Sequence, residues 1–168
     1  MKRRTFTILL AEDDDNDRAL IRLAFERAAP GTEVNLQCVS TGQEAIAYLQ
    51  GTGEFADRKR YEYPTFIITD LKMPLDGFSV LQFLKTTPEF AIIPTVVLSA
   101  SADLDDIKKS YILGASAYLL KPHSLQELQR LLKLLVDFWS ACEVPEVDIQ
   151  GKRLSTDSAG KLGERFPQ

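Results

Sequence analysis

The sequence is short of the residues that build disulfide frameworks, zinc sites and most catalytic triads. Its 168 residues include two cysteines, two methionines, one tryptophan and one histidine. Cys38 and Cys142 lie far apart and lack metal-type spacing, so we interpret them as thiols. His123 follows a proline at a predicted helix start, which does not favour a Ser-His-Asp hydrolase built around it.

Long apolar runs and an excess of basic charge are missing as well. No apolar stretch approaches the roughly 20 residues that span a bilayer, and the amino terminus lacks the hydrophobic region of a signal peptide. The net charge of −4 gives no reason to expect nucleic-acid binding through a broad basic surface. With 45% hydrophobic and 26% charged residues, the chain suits one globular domain. We therefore expect a cytoplasmic protein that binds neither membranes nor nucleic acid.

The stretch from Phe66 to Gly77, FIITDLKMPLDG, is the most informative segment of the chain. Its apolar start, placed after Pro64 and before a turn, predicts a strand that is buried on both faces, as in a parallel sheet. Asp70 then stands at the carboxyl end of this strand, where open α/β sheets bind their ligands. Taken alone, Asp70 is interpreted equally well as a cap for the turn before the next helix.

The rest of the chain alternates between strand and helix patterns. Helical spacing or a capping box marks a helix after each strand, including Thr41 with Glu44 and Ser124 with Glu127. A polar, charged connection from Gly51 to Tyr63 interrupts this alternation. The predicted strands are 5–10, 34–38, 66–69, 95–99 and 117–120, and the final helix runs from 124 to about 142. Five strand–helix units predict a parallel sheet with helices on both faces.

Polar residues follow four of these strands at the point where each strand ends. They are Glu12 and Asp13, Asp70, Ser99 and Lys121. If the first and third strands are neighbours, their tips lie about 4.8 Å apart, which brings three carboxylates into one pocket. Such like charges need a cation, and an oxygen-lined site suits Mg²⁺. A carboxylate nucleophile with a divalent ion, an ammonium and a hydroxyl predicts a phosphoryl-transfer site.

These residues carry a resemblance to a known family. From about Thr5 to Trp139 the chain resembles the receiver domain of two-component response regulators. The matching motifs are Glu12-Asp13, Asp70 with Met73-Pro74 and Asp76-Gly77, Ser99-Ala100, and Lys121-Pro122. Five motifs in order at strand ends make a strong signal. The resemblance implies a flavodoxin-like fold with strand order 2-1-3-4-5.

The resemblance also implies the roles of individual residues. Asp70 would take a phosphoryl group from a kinase phosphohistidine, acting as a switch and not as an enzyme. Asp13, Asp70 and the backbone carbonyl of Lys72 would bind Mg²⁺, and Glu12 would assist through water.

Three further residues belong to the same implied switch. Ser99 and Lys121 would hold the phosphoryl oxygens. Tyr118 matches the aromatic whose rotamer follows Ser99, although it is interpreted equally well as an aromatic that fills the strand surface.

Two departures from the family pattern stand beside these matches. Only Leu75 separates Pro74 from the Asp-Gly turn, where most receivers have two residues, and this puts the loop geometry and the Mg²⁺ affinity in question. Lys72 occupies a position often held by Asn, next to the attacking water, so a slow loss of phosphate is expected. A plain solvated loop lysine is the simpler interpretation of Lys72.

Two other classes of protein remain as alternatives. A haloacid-dehalogenase-type phosphatase also uses a first-strand Asp, Mg²⁺ and a Lys, but Asp17 replaces the Thr of its signature. A pseudo-receiver would fold alike, act as a binding module and never be phosphorylated.

The chain is predicted to consist of a receiver domain and a carboxyl-terminal tail. We expect a receiver domain over 1–142 and a disordered tail over 143–168, with no effector domain, as in regulators that partner phytochrome-type or hybrid sensor kinases. In the extended final helix, Leu125, Leu128, Leu132, Leu135 and Trp139 form a stripe that would face the sheet. The predicted homodimer interface comprises Leu131, Leu134, Phe138, Trp139 and Cys142.

Overall fold

The fold is a five-stranded parallel sheet with helices on both faces. The computed structural model describes residues 5–28, 30–73 and 77–144. The strands are β1 Thr5–Ala11, β2 Glu33–Val39, β3 Phe66–Thr69, β4 Thr95–Ser99 and β5 Ala117–Leu120. They pair in the order β2-β1-β3-β4-β5, and every pairing is parallel. The predicted flavodoxin-like order is therefore confirmed.

Six helices accompany the sheet within the described residues. They are α1 Asp15–Ala28, α2 Gly42–Gln50, α3 Gly77–Thr86, α4 Pro88–Ala91, α5 Leu104–Ile112 and α6 Leu125–Ala141. The predicted caps are present, because the Thr41 hydroxyl accepts the Glu44 N–H and the Ser124 hydroxyl accepts the Glu127 N–H, each at 3.1 Å. None of the helices in these described ranges is long and apolar enough to cross a bilayer.

Alternating side chains of the central strands fill two cores. Phe6, Ile8 and Leu10 of β1 point toward the face covered by α1 and α6, whereas Leu9 and Ala11 point toward the face covered by α2 and α3. The apolar runs 8–11 of β1 and 66–68 of β3 are thereby explained, since both faces of the sheet are covered there.

The buried face of α1 differs from the stripe that Leu20, Leu23, Ala24 and Ala28 predict by their helical spacing in the sequence. Ile21, Ala24, Phe25 and Ala28 are the buried residues, while Leu20, which was placed in the predicted stripe, is 44% exposed. Ile21 and Phe25 are four residues apart and larger than the alanines beside them, so the helix turns these two side chains into the core.

The connection from Gly51 to Tyr63 contributes to the core despite its polar composition. It contains a short 3-10 helix, Gly53–Ala56, and Phe55 within it is buried. The Phe55 ring lies 5.3 Å from the ring of Tyr48 and 5.1 Å from that of Tyr61, centroid to centroid. Arg58 lies over the Tyr63 ring at 4.1 Å and donates to the Leu49 carbonyl at 2.6 Å. The segment is therefore an aromatic cover for α2.

The predicted sheet-facing stripe of α6 is confirmed. Leu128, Leu132 and Leu135 are buried, and Leu125 and Trp139 pack against the same core. Comparing the length of the last helix with that of a strand predicts that the helix extends beyond the sheet and that the core leaves Phe138, Trp139 and Cys142 uncovered. For Trp139 this prediction is wrong. Its ring stacks on Phe66 of β3 with the centroids 6.0 Å apart, because the last turn of the helix lies over the start of this strand.

Candidate functional site

Backbone hydrogen bonds align the strand ends that carry the predicted site. The Asp70 N–H donates to the Ala11 carbonyl at 3.0 Å, so the end of β3 lies beside the end of β1. The Lys121 N–H donates to the Ser99 carbonyl at 2.9 Å, which aligns β5 with β4 in the same way. The polar residues that follow the strands therefore meet at one edge of the sheet.

Gly77 is required where α3 begins against this edge. A Cβ atom at this position would lie 2.0 Å from the Asp70 carbonyl oxygen and 2.8 Å from the Leu71 Cα. Both neighbours are backbone atoms that cannot move aside, so only glycine fits. The Asp-Gly pair that marked a turn in the sequence thus reflects the close approach of α3 to the end of β3.

Lys121 is the centre of the site. Its ammonium nitrogen lies 2.6 Å from Glu12 Oε2, 2.7 Å from Asp17 Oδ2 and 2.8 Å from Asp70 Oδ2. Burial by itself would lower the pKa of Lys121, but the hydrogen bonds to Asp17, Asp70 and Glu12 raise it above its usual value. Lys121 therefore stays charged and offsets part of the negative charge around it.

The carboxylates form a compact group around this ammonium. Burial raises the pKa of Glu12 to about 6, and the hydrogen bond from Lys121 limits that increase. One oxygen each from Glu12, Asp13 and Asp70 lie within 4.8 Å of one another, with Asp13 exposed and the other two buried. This donor set fits a divalent cation, because hard ions of this kind prefer carboxylate oxygens.

A second polar group lies on the other side of Asp70. The Lys72 N–H donates to Asp70 Oδ1 at 3.2 Å, and its ammonium contacts Asp106 Oδ2 of α5 at 3.4 Å. Asp106 Oδ2 also accepts the Ser101 hydroxyl at 2.6 Å. The hydrogen bond from Ser101 and the charge of Lys72 lower the pKa of Asp106. Lys72 thus connects the loop after β3 with α5, while its side chain stays 64% exposed to solvent.

Two of the three predicted switch residues, Ser99 and Tyr118, lie beside this group. Ser99 is fully buried at the end of β4, and its hydroxyl oxygen accepts the Ser101 N–H at 3.3 Å. The Tyr118 hydroxyl donates to the Ser101 carbonyl at 2.8 Å. Ser99 and Tyr118 are therefore linked through the same short loop between β4 and α5.

Sequence reasoning missed Asp17, Ser101 and Asp106 as members of this site. A signal existed for Asp17, because side chains in the first turn of a helix point back toward its amino terminus and hence toward the end of β1. Ser101 and Asp106 are joined to the site by the fold of the loop after β4. The shorter loop inferred from Leu75 involves residues 74–76, which lie outside the described residues.

Comparisons with known proteins agree with this geometry. Residues 8–133 match the family model of the response regulator receiver domain. The response regulator Rcp1 of Synechocystis sp. is 34% identical over 133 residues, covering 79% of this chain and 87% of Rcp1. A probable methanogenesis regulatory protein, FilR2 of Methanothrix harundinacea, is 33% identical over 138 residues, covering 80% of this chain and 83% of FilR2.

Solved structures of similar receivers agree with these sequence matches. The phosphorylated cyanobacterial phytochrome response regulator RcpA is 36% identical with a TM-score of 0.76, over 85% of this chain and all of RcpA. The Mn²⁺-bound form of Rcp1 is 31% identical with a TM-score of 0.74, over 84% of this chain and 99% of that structure. Proteins of this family are signalling proteins and not enzymes in the usual sense. The family match and the identities to these regulators show that this chain belongs to the response regulator receiver family of two-component signalling systems.

Proposed function

We propose that Asp70 is the phosphoryl acceptor of this receiver. An Asp70 carboxylate oxygen would attack the phosphorus of a phosphohistidine, forming an O–P bond while the P–N bond breaks and the imidazole nitrogen keeps its electron pair. The observation that carries the proposal is the pairing of a buried Asp70 with the Lys121 ammonium at 2.8 Å. This contact would draw the negatively charged phosphoryl donor to Asp70.

The metal partner in this proposal is Mg²⁺. Glu12, Asp13 and Asp70 would hold it together with the backbone carbonyl of Lys72, and the mutual closeness of the three carboxylates supports this assignment. A bound divalent ion supplies neutralisation of the charge on the transferring group. The Mn²⁺-bound structure of the similar protein Rcp1 is consistent with such a site.

Ser99 and Lys121 would hold the phosphoryl oxygens after transfer. Ser99 ends β4 and Lys121 follows β5, and both strands lie on the same side of β3. Each side chain carries a polar hydrogen that it can donate to a phosphoryl oxygen. A change at Ser99 would reach Tyr118 through Ser101. The Ser101 carbonyl accepts a hydrogen bond from the Tyr118 hydroxyl, and the Ser101 N–H donates to the Ser99 hydroxyl oxygen. We propose this path as the output of the switch.

Mass spectrometry after treatment with acetyl phosphate tests the acceptor. We expect wild type to gain one phosphoryl group in the presence of Mg²⁺ and Asp70→Asn to gain none, because an amide cannot act as this nucleophile. Asp137→Asn, a change of the same type on the exposed face of α6, serves as the control and is expected to behave like wild type. A Mg²⁺-dependent phosphate that persists in Asp70→Asn would disprove the assignment.

The proposed donor is a sensor histidine kinase of the phytochrome or hybrid type, in the cytoplasm. Similarity to RcpA and to a regulator in red light signalling of R. palustris, 32% identical with a TM-score of 0.78, supports the phytochrome type. The receiver unit would comprise residues 1–142. The predicted disorder of 143–168 falls on residues that, apart from 143 and 144, lie outside the described ones.

We also propose that α6 carries a homodimer interface. Leu134 and Phe138 are 56% and 59% exposed, and Leu120 of β5 is 50% exposed. A groove of about 440 Å³ between β5 and α6 has Leu120, Leu131 and Leu134 in its lining. Of the residues predicted for this interface, Leu131, Trp139 and Cys142 are half-buried, and Trp139 is occupied by its contact with Phe66. Leu134 and Phe138 are therefore the side chains a partner would cover.

Analytical ultracentrifugation tests the homodimer. We expect wild type to sediment as a dimer at high micromolar concentration and the double variant Leu134→Glu with Phe138→Glu as a monomer, since two charges cannot be buried without partners. Leu20→Glu on α1 is the matched control, because Leu20 is also an exposed leucine on a helix. A wild-type monomer with and without phosphate would disprove the homodimer.

A further inference from the structure

The Lys121 ammonium has a third carboxylate partner that the family motifs do not include. Asp17 comes from the first turn of α1, and its Oδ2 lies 2.7 Å from Lys121 Nζ, a distance that falls between those to Glu12 and Asp70. A lysine ammonium has three hydrogens and no acceptor. All three of its hydrogens are therefore used by carboxylates in this structure.

A phosphoryl group on Asp70 needs one of these donors. This step rests on the proposed function, in which Lys121 holds a phosphoryl oxygen. Because the ammonium has no fourth hydrogen, each bond to a phosphoryl oxygen replaces one that a carboxylate holds. Asp70 gives up its hydrogen when its carboxylate becomes an acyl phosphate, so a bond to a second phosphoryl oxygen requires Glu12 or Asp17 to withdraw.

Exposure distinguishes these two carboxylates. The side chain of Glu12 is 2% exposed, whereas that of Asp17 is 38% exposed. A buried carboxylate that loses its partner cannot be rehydrated and incurs a large desolvation cost. Asp17 can turn toward water, and its place in the first turn of α1 favours a negative charge without Lys121.

We propose that Asp17 is a positioning residue for phosphorylation. It holds the third hydrogen of Lys121 while Asp70 is unmodified, and it releases that hydrogen to the phosphoryl group. Asp17 thereby keeps the ammonium aimed at the site but competes with the phosphoryl oxygen for it. Removing the Asp17 charge then favours the phosphorylated form, although Asp17 itself touches no reacting atom.

The affinity for beryllofluoride, a phosphoryl-group mimic, tests the competition at a fixed Mg²⁺ concentration. Asp17→Asn is expected to bind it about threefold to fivefold more tightly than wild type, the range of one partly exposed ion pair. Asp15→Asn is the matched control, because it removes the same charge from the same helical turn, is 90% exposed and contacts Arg18 instead of Lys121. Equal affinities of the two variants, or weaker binding by Asp17→Asn, would overturn the inference.

A second measurement follows Lys121 directly in the protein without beryllofluoride. In ¹H–¹⁵N spectra of lysine ammonium groups, the Lys121 protons are expected to exchange with water faster in Asp17→Asn than in Asp15→Asn and wild type. An unchanged exchange rate would mean that Asp17 does not hold the ammonium in solution, and would overturn the inference even if beryllofluoride binds. Failure of the proposed function shows separately, as wild type that binds no beryllofluoride, and it would overturn both proposals.

Discussion

The two helices next to β5 in sequence, α5 before it and α6 after it, are held in place by different forces. Helix α6 buries Leu128, Leu132, Leu135 and Val136 in the core that it shares with α1. Helix α5 buries only Ser110 among its nine residues, and its Leu104 and Ile112 are 79% and 63% exposed. Apolar burial therefore fixes α6, whereas it contributes little to the position of α5.

Polar contacts hold α5 instead. Lys85 donates to the carbonyl of Ile112 at the end of the helix at 2.7 Å, and Lys109 lies 3.9 Å from the centroid of the Phe78 ring. At its start, Asp106 is joined to Ser101 and to Lys72 of the site. Such contacts are individually weak, so α5 is the element whose position a new charge at Asp70 can change.

Truncating an apolar side chain in each helix should give the largest contrast. Leu132→Ala in α6 is expected to lower the free energy of unfolding by about 2–5 kcal/mol, because Leu132 is fully buried and a cavity would remain. Ile112→Ala in α5 is expected to change it by less than about 0.5 kcal/mol. Urea denaturation measures both values, and similar losses in the two variants would contradict the comparison.

A smaller effect is expected from Lys72, which joins α5 to the site. Lys72→Asn should accelerate loss of phosphate from the phosphorylated protein about threefold to tenfold, because an amide can both donate to and accept from the attacking water, whereas an ammonium only donates. The decay of the phosphorylated form after removal of the donor gives the rate. Lys108→Asn, on α5 itself, is the control for loss of a positive charge, and an unchanged or slower decay in Lys72→Asn would contradict this role.

The smallest effect should come from a single hydroxyl. Tyr118→Phe removes the hydrogen bond to the Ser101 carbonyl but keeps the ring, so a local loss of about 0.5–1 kcal/mol is expected. Hydrogen exchange should become faster in α5 and the loop before it and stay unchanged in α6. Tyr61→Phe, which removes a hydroxyl in the aromatic cluster on the α2 side of the sheet, should leave α5 unchanged. Faster exchange throughout the protein would contradict a local role.

Much of the fold and site could be predicted because the informative residues are local in sequence. An apolar run as long as a strand, followed at once by Asp70 or Lys121, specifies both the strand and the position of the polar group at its end. The five strands and the positions of Glu12, Asp70 and Lys121 at their ends were correct for this reason, whereas the strand order was implied by the resemblance to receiver domains. The short α4 was missed, because the four residues Pro88–Ala91 are too few to show helical spacing.

Other features depend on which segments the fold brings together. Trp139 looks like an uncovered residue when helix length is compared with strand length, yet the start of β3 lies beneath it and Phe66 covers its ring. The polar composition of the connection from Gly51 to Tyr63 concealed Phe55, which is buried against Tyr48 and Tyr61. A count of polar residues does not reveal where a single aromatic side chain will find partners.

The sequence by itself determined the identity of the strands, the parallel architecture and the residues at the strand ends, because period and position are properties of the chain alone. Only the tertiary structure decided which groups share the hydrogens of Lys121. The contact between Asp17 and Lys121 joins residues 104 positions apart, and that between Lys72 and Asp106 joins residues 34 apart. Hydrogen bonds require approach to about 3 Å, and such distances between remote residues arise only once the sheet and its helices have packed.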